Sequence, residues 1–125
     1  MIDDAIQHAL ATDRTIDITT IGRTSGQLRR IETWFYRVGD TIYLSGSPGK
    51  RDWYANLVAN PDFTFHLKGS VTADLPAQAT PITDPAARRE IFETVVRSFS
   101  SAGDLDDWVA RSPLMAVRFP GLDRS

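Results

Sequence analysis

The strongest constraint on the fold is an alternation of β-branched or aromatic residues with polar residues across residues 15–45. A two-residue period is typical of strands that bury one face. The alternation is broken by a glycine-flanked turn and by Val38-Gly39-Asp40, and it predicts strands at Thr15–Ile21, Leu28–Val38 and Thr41–Ser45. Because both interruptions are short, we expect these strands to pair in order as an antiparallel meander.

The rest of the chain alternates strand patterns with amphipathic helices. Trp53, Leu57 and Val58 are expected on one side of a helix that Asn60-Pro61 ends, since the residue before proline avoids helical angles. The predicted elements are a first helix carrying Ile2, Ile6 and Leu10, a helix from about Lys50 to Ala59, strands Phe63–Leu67 and Ser70–Ala79, a helix capped by Asp84-Pro85 with Ile91, Phe92, Val95, Val96 and Phe99 on its apolar face, a short helix Asp104–Arg111 and a strand Leu114–Phe119. This order predicts a mainly β (α+β) fold, a small barrel with helices packed outside it.

Length and composition limit the class of protein. The 125 residues suit one domain over residues 1–125, and 42% hydrophobic against 24% charged residues is the balance of a folded chain. Apolar runs of only a few residues exclude an integral membrane helix. The acidic start, Met1-Ile2-Asp3-Asp4, is unlike a signal peptide, so we expect a cytoplasmic protein. The net charge of −2 argues against nucleic acid as a partner.

Cysteine and histidine usage narrows the chemistry further. The absence of cysteine excludes disulfides, iron–sulfur clusters, thiolate zinc sites and cysteine nucleophiles. The two histidines, His8 and His66, lie far apart in sequence, so no transition-metal site is expected. His8 falls on a polar helix face and His66 within a strand, and structural roles are expected for both.

The first segment that can carry chemistry is the loop from Gly22 to Arg30. Its glycines can take positive φ, its turn exposes backbone N–H groups, two hydroxyls can donate, and three arginines supply charge. These groups together make a plausible binding site for a phosphate or carboxylate. A polar hairpin loop with solvated arginines explains the same residues without a ligand.

The second segment runs from Ser45 to Leu57. Small residues at Gly46-Ser47-Pro48-Gly49 leave room for a flat ligand, and the helix that follows directs its N-terminal amides towards that space. Lys50 and Arg51 add positive charge there. A structural explanation is also available, since Trp53 can anchor the helix to the barrel and the glycines can serve only the turn.

These two segments carry a resemblance to a known family. Residues 20–30 (TIGRTSGQLRR) are similar to a T-x-G-R-K-S-G-x-x-R stretch, and residues 53–61 (WYANLVANP) to a W-Y-x-N-L-x-A-N-P helix end. Both belong to the deazaflavin (coenzyme F420)-dependent nitroreductase-like family, which includes quinone reductases. The order of predicted strands extends the likeness over residues 15–67. The combination of the two motifs is specific, whereas neither is so alone.

The resemblance implies a split β-barrel of the FMN-binding, pyridoxamine-phosphate-oxidase-like type, with F420 as cofactor. Matching positions imply that Arg23, Thr24, Ser25 and Arg30 meet the phosphate region, that Ser45, Gly46 and Ser47 meet the polar edge of the ring, and that Trp53, Asn56 and Lys50 complete the pocket. The implied reaction is hydride transfer from reduced deazaflavin to a small-molecule acceptor, a quinone or a nitro compound. No catalytic side chain is assigned.

Two departures from the family pattern leave alternatives open. Thr24 stands where the family has lysine, and the histidine–proline pair that precedes the tryptophan in relatives is missing. An FMN-dependent oxidoreductase on the same barrel, and a non-catalytic carrier or sensor of the cofactor, are therefore alternatives. The resemblance also implies a homodimer, in which Trp34 or Phe35 would cover the interface, although both residues would equally suit the barrel core.

Overall fold

The computed structural model describes residues 4–98 and 104–121, so Ile2 and Phe99 of the predicted helix faces lie outside the described residues. The elements in chain order are α1 (Asp4–Thr12), β1 (Thr15–Ile21), β2 (Leu28–Val38), β3 (Thr41–Ser45), α2 (Asp52–Ala59), β4 (Asp62–Lys68), β5 (Thr72–Pro81), α3 (Pro85–Ser98), α4 (Leu105–Arg111) and β6 (Leu114–Arg118). The first three strands have the predicted bounds. Helix α2 begins two residues later than predicted.

The six strands close into a barrel in the order β1-β2-β3-β6-β5-β4, and every neighbouring pair is antiparallel. The predicted meander of β1, β2 and β3 and the predicted barrel with outer helices are both confirmed. Closure depends on pairing β1 with β4, where Ile18 lies opposite Phe65, and on inserting β6 between β3 and β5. Strand β2 pairs with β3 only over Trp34–Val38, and β5 pairs with β6 only over Gln78–Pro81.

Aromatic and aliphatic side chains fill the barrel. Phe35 and Phe65 are almost fully buried, and their rings meet edge to face with centroids 5.4 Å apart. Phe65 makes a second edge contact with Phe119 at 5.1 Å. Burying a side chain of this size contributes about 1.5–3 kcal/mol, so these residues dominate the core. Trp34 and Phe35 were each expected either at an interface or in the barrel core. Phe35 lies in the core, whereas Trp34 is 49% exposed.

A second apolar cluster forms where α3 and α4 cover the outer surface of the barrel. It contains Tyr36, Phe92, Val95, Trp108 and Leu114. The Asp84 carboxylate accepts a hydrogen bond from the backbone N–H of Ala87 at 2.9 Å and so caps α3 as predicted. The cluster fixes α4 and the start of β6 beside the end of β3.

Helix α2 packs on the barrel through Trp53 and Leu57, both buried. The expectation for Val58 is wrong, because that side chain is 56% exposed. Helical neighbours lie three or four residues apart, so the buried stripe runs through Trp53, Asn56 and Leu57. A polar residue therefore occupies a position under the helix that the apolar pattern had not assigned.

No helix of the described residues combines the length and the apolar character needed to cross a bilayer.

Candidate functional site

Three neighbouring grooves surround the N-terminus of α2. The anion seat, of about 220 Å³, is lined by Gly22, Arg23, Thr24, Ser25, Arg29, Asp52 and Asn56. The cationic groove, of about 520 Å³, is lined by Arg23, Lys50, Arg51, Arg88 and Arg111 together with Asp52, Tyr54 and Ile82. The aromatic groove, of about 490 Å³, is lined by Trp34, Tyr36, Trp53 and Trp108 together with Ser45, Gly46, Ser47 and Arg51. Shared lining residues place the three side by side.

The hairpin turn after β1 shapes the anion seat. Gly26 has φ +70°, in the left-handed region that favours glycine. At Gly22, a Cβ would lie 2.5 Å from the Ser25 hydroxyl oxygen, so a larger residue would displace that hydroxyl. The Ser25 hydroxyl in turn accepts a hydrogen bond from the Gln27 backbone N–H at 3.1 Å. The turn thus brings two hydroxyl residues and Arg23 to one concave surface.

Asn56 holds Arg23 at the seat. Its buried side-chain oxygen accepts from the Arg23 backbone N–H at 3.1 Å and from Arg23 Nη1 at 3.0 Å. Its amide nitrogen donates to the Thr20 hydroxyl at 3.5 Å. Asn56 therefore acts by positioning a guanidinium. Arg23 is also 3.8 Å from the exposed carboxylate of Asp52.

The loop between β3 and α2 is tied to the start of β6. The buried Ser45 hydroxyl donates to the Pro113 carbonyl at 2.7 Å, and the Gly49 N–H donates to the Arg111 carbonyl at 3.1 Å. Arg51 crosses the loop and donates through Nη2 to the Ser47 carbonyl at 3.0 Å. These contacts fix the backbone of the loop from both sides, so the surface that it offers a ligand is preformed.

Glycine at position 49 is required by the same loop. Its φ of +135° disfavours any side chain, and a Cβ there would lie 3.2 Å from Arg51 Nη1. Arg51 also occupies the N-cap of α2 without a side-chain cap hydrogen bond. The first-turn amides of the helix therefore keep the positive potential that favours an anion nearby.

Charge is strongly unbalanced across the cationic groove. Five of its lining residues are Lys or Arg, and one is an acid, Asp52. Arg111 is paired by Asp107, whose carboxylate accepts two hydrogen bonds from it at 2.5 and 2.9 Å. Within the described part of the chain, Lys50 and Arg51 form no ion pair. In a chain of net charge −2, this concentration of cations gives the groove a local positive potential that would attract an anion.

The aromatic groove offers flat apolar surface next to the Gly46-Ser47 backbone. Trp34 and Tyr36 lie with ring centroids 6.5 Å apart, and Trp53 forms part of the wall. Burial raises the pKa of the Tyr36 phenol above its ordinary value, and the Arg14 charge opposes this only in part. The Tyr36 hydroxyl therefore stays protonated at neutral pH, as a hydrogen-bond donor and not as a base.

Most of the sequence-predicted site residues come together. The structure places Arg23, Thr24, Ser25 and Asn56 at the anion seat, Lys50 in the cationic groove, and Ser45, Gly46, Ser47 and Trp53 in the aromatic groove. Trp53 packs in the barrel core and also lines the aromatic groove. Ser45 lines the aromatic groove, and its hydroxyl donates its hydrogen bond to the Pro113 carbonyl.

Arg30 is the exception. Its Nε donates to Asp17 at 3.0 Å, and the same carboxylate accepts from Lys68 at 2.6 Å. Successive side chains of a strand point to opposite faces, so Arg29 faces the anion seat and Arg30 faces away. The resemblance-based role of Arg30 stays a prediction, and it would require this ion pair to break.

Four basic residues that line the grooves were not among the predicted site residues. Arg29 was noted only as one of three loop arginines and Arg51 only as a positive charge beside Lys50, and strand parity or loop geometry is needed to single them out. Arg88 on α3 and Arg111 on α4 reach the cationic groove from a distant part of the chain. No local sequence signal identifies that pair, because only the closed barrel brings α3 and α4 beside the loop.

His66 has a structural environment, as expected. It is buried between Thr19 and Asp74, with Nε2 2.6 Å from the Thr19 hydroxyl and Nδ1 2.7 Å from the Asp74 carboxylate. The order hydroxyl–imidazole–carboxylate resembles a hydrolase triad, but these residues line none of the three grooves. In the part of the chain that the structure describes, no group of His, Asp and Glu side chains is arranged to hold a metal ion.

Comparisons with known proteins bear on both fold and family. The family model of F420H(2)-dependent quinone reductases matches residues 4–119. Among solved structures, an F420-H2 dependent reductase is 18% identical with TM-score 0.60, covering 85% of this chain and 95% of that one. A candidate pyridoxamine 5'-phosphate oxidase from Listeria innocua is 13% identical with TM-score 0.66, over 92% and 90% of the two chains. A structure described as a domain-swapped dimer is 17% identical with TM-score 0.58, over 85% and 81%. At these identities the structures establish the split-barrel fold.

Proposed function

Because the chain belongs to the F420H(2)-dependent quinone reductase family, it is an F420-dependent oxidoreductase, and we propose that its acceptor is a quinone bound in the aromatic groove. The observation that carries the proposal is the division of the site into a cation-rich part and an aromatic part on the two sides of one rigid loop. A cofactor with a flat ring and an anionic tail requires both kinds of surface.

The donor set of the anion seat fits the phosphate of F420. Arg23 offers guanidinium N–H groups beyond the one that Asn56 accepts, and Thr24 and Ser25 add hydroxyls. A charge-assisted hydrogen bond to a phosphate is roughly twice as strong as a neutral one. We assign the phosphate to Arg23, Ser25 and Thr24, with Arg29 behind them, and leave Arg30 out because its side chain lies on the other face of β2.

The loop beside the seat fits the ring. Gly46 and Ser47 present backbone to the aromatic groove without large side chains, and Trp53 closes one wall. Lys50 and Arg51 are assigned to the anionic part of the cofactor that leaves the seat. Asn56 acts through Arg23, which it fixes with two hydrogen bonds, and does not need to touch the cofactor.

When bound, reduced F420 supplies a hydride, and a quinone that takes up this hydride and one proton becomes a hydroquinone. The chain contributes position and environment. Trp34, Tyr36 and Trp108 offer apolar surface that excludes water from a planar acceptor. Cysteine or serine nucleophiles have no place in this reaction.

We also propose that the protein forms a homodimer. Three apolar side chains of β2 remain exposed in the described chain: Leu28 at 74%, Ile31 at 38% and Trp34 at 49%. Ile31 and Trp34 also line the aromatic groove, so a partner chain packed there would cover the acceptor from solvent. The relative described as a domain-swapped dimer gives a precedent for association on this fold.

The test is a side-by-side titration of the purified protein with F420 and FMN, followed by turnover with a quinone and a nitroaromatic compound. We expect F420 to bind more tightly than FMN, and F420H2 to be oxidised faster by the quinone. Preferential FMN binding would support the FMN-dependent alternative. Tight F420 binding without oxidation by either acceptor would support the carrier or sensor, and faster oxidation by the nitro compound would reassign the acceptor.

A further inference from the structure

Arg88 on α3 joins two segments of backbone that are distant in sequence. Its Nε donates to the Val109 carbonyl at 2.8 Å, Nη1 to the Ile82 carbonyl at 2.9 Å and Nη2 to the Ser112 carbonyl at 2.6 Å. Ile82 lies just before α3, whereas Val109 and Ser112 lie in the last turn and at the C-cap of α4. One guanidinium therefore ties the C-terminal end of α4 to the segment before α3.

The segment that Arg88 holds through Ser112 is the one that supports the loop before α2. The carbonyl on one side of Ser112, that of Arg111, accepts from the Gly49 N–H at 3.1 Å. The carbonyl on the other side, that of Pro113, accepts from the Ser45 hydroxyl at 2.7 Å. A short chain of hydrogen bonds thus leads from Arg88 through residues 111–113 to both ends of the Ser45–Gly49 loop.

Arginine is the side chain that this junction requires. Its planar fork presents five donors in fixed directions, whereas a lysine ammonium is a compact group on a flexible stem. Arg88 is partly buried, and its guanidinium lies 5.4 Å from the centre of the Phe92 ring, which supports it from below. The carbonyl of Ser112 would lose a charge-assisted partner in a 3% exposed position if the fork were removed.

We propose that Arg88 is a positioning residue for cofactor binding, which holds residues 111–113 so that the Ser45–Gly49 loop presents the ring-binding surface. This rests on the proposed function, in which the loop binds the deazaflavin ring. Arg88 also lines the cationic groove, so direct contact with an anion is the competing explanation, and the two differ in what they predict for a ligand that has a ring but no phosphate.

The test compares Arg88→Met and Arg88→Lys with wild type, using F420 and the ring fragment that retains the ribityl chain but lacks the phosphate. Dissociation constants come from deazaflavin fluorescence, and thermal unfolding is followed in parallel. We expect both variants to bind the fragment and intact F420 about tenfold more weakly, by the same factor for the two ligands. Arg88→Lys keeps the positive charge but lacks the planar guanidinium. Weak binding by this variant would show that the geometry of the guanidinium, and not its charge alone, is required.

The matched control is Arg89→Met, next in the chain, since Arg89 is exposed and pairs with Asp106 at 2.6 Å outside the grooves. We expect unchanged affinity for both ligands. A second variant, Ser45→Ala, removes the hydrogen bond to the Pro113 carbonyl at the other end of this chain of contacts. Combining it with Arg88→Lys should reduce the binding free energy by less than the sum of the two single losses. This pair keeps the proposal testable if Arg88→Met does not fold.

Three outcomes would overturn the proposal. Weakening of F420 alone, with the fragment unaffected, would make Arg88 an anion contact. A lower melting temperature with unchanged affinity of the folded protein would leave it a structural residue only. Equal weakening in Arg89→Met would indicate a general charge effect. Failure of the wild type to bind either ligand would instead refute the function proposed for the site.

Discussion

Two polar regions of this barrel contain the same kinds of residues and differ in charge balance. The first, which we call the paired face, is the outer surface of β2, β1 and β4 and contains Asp17, Arg30, Glu32 and Lys68. Glu32 also lines the aromatic groove, so the two regions meet at this residue. Arg30 and Lys68 share the Asp17 carboxylate at 3.0 and 2.6 Å, and Lys68 also bonds Glu32. The second is the site around α2, where the cationic groove has five cations against one acid.

The difference separates a structural network from a binding site. On the paired face each cation has its counter-charge within the protein, so little potential remains to attract a ligand. At the site, Arg111 pairs with Asp107 and Arg23 lies 3.8 Å from Asp52, but among the described residues Lys50 and Arg51 have no acidic partner, so cations exceed acids. Such an imbalance costs stability and is retained where function needs it. The basic residues of one motif therefore do not all belong to the candidate site. Arg29 lines the anion seat, whereas its neighbour Arg30 belongs to the paired face.

The largest expected difference in F420 affinity is between variants that replace one arginine in each region. Arg23→Met should weaken F420 binding about tenfold or more, because a charge-assisted contact to phosphate contributes about 1.5–3 kcal/mol. Arg30→Met should change the affinity less than twofold, since its guanidinium is already bound to Asp17. The measurement is the dissociation constant at low salt, repeated at higher salt, where the difference should shrink.

Equal losses in the two variants would mean that Arg30 leaves Asp17 when the cofactor binds, as the family motif implies. Asn56→Ala is an informative companion, since it removes the acceptor of both Arg23 hydrogen bonds and should lower affinity without deleting a charge.

A smaller effect of opposite sign is expected from Thr24→Lys. Thr24 lies exposed at the anion seat, at the position where the family has lysine. A cation there should tighten F420 binding by about 1 kcal/mol, or roughly fivefold, because exposure limits the gain. The control is the same substitution at Thr72, an exposed residue of β5 that lines none of the grooves. Weaker binding by folded Thr24→Lys would show that the seat does not face the phosphate.

Local patterns were sufficient to predict the strands, whereas the candidate site residues were assigned from the family resemblance and stay a prediction. The alternation in residues 15–45 gave β1, β2 and β3 their observed bounds, since strand periodicity and turn residues are short-range signals. The barrel closure was predicted only as a class, because the pairing of β3 with β6 joins residues far apart in sequence. For the same reason nothing in the sequence associated Arg88 or Arg111 with the loop before α2.

The orientation of Arg30 shows a different limit. Alternate residues of a strand lie on the same face, and the neighbouring apolar residues indicate which alternate set faces the core. Here Trp34, Phe35 and Tyr36 are consecutive aromatics, and all three have apolar surroundings: a groove, the barrel core and the cluster under α3. Since both faces of β2 are apolar at that end, the sequence does not reveal which of two adjacent arginines faces the seat.

The smallest expected effect concerns Asp17, and it tests the paired face itself. The hydrogen bond from Lys68, followed by that from Arg30, lowers the pKa of the Asp17 carboxyl below its ordinary value. A depressed folded-state pKa stabilises the protein above the unfolded pKa of about 3.9, and this stabilisation is lost as pH falls through the folded value. Asp17→Asn should therefore have a slightly lower melting temperature than wild type at neutral pH, and this difference should disappear at acidic pH. Asp62→Asn is the matched control, since the Asp62 carboxylate accepts from Gln78 and forms no ion pair among the described residues. Because Asp17→Asn also releases Arg30, F420 affinity in the same variant decides between the two regions. Unchanged affinity would keep Arg30 in the structural network, whereas tighter binding would show that Asp17 competes with the cofactor for Arg30.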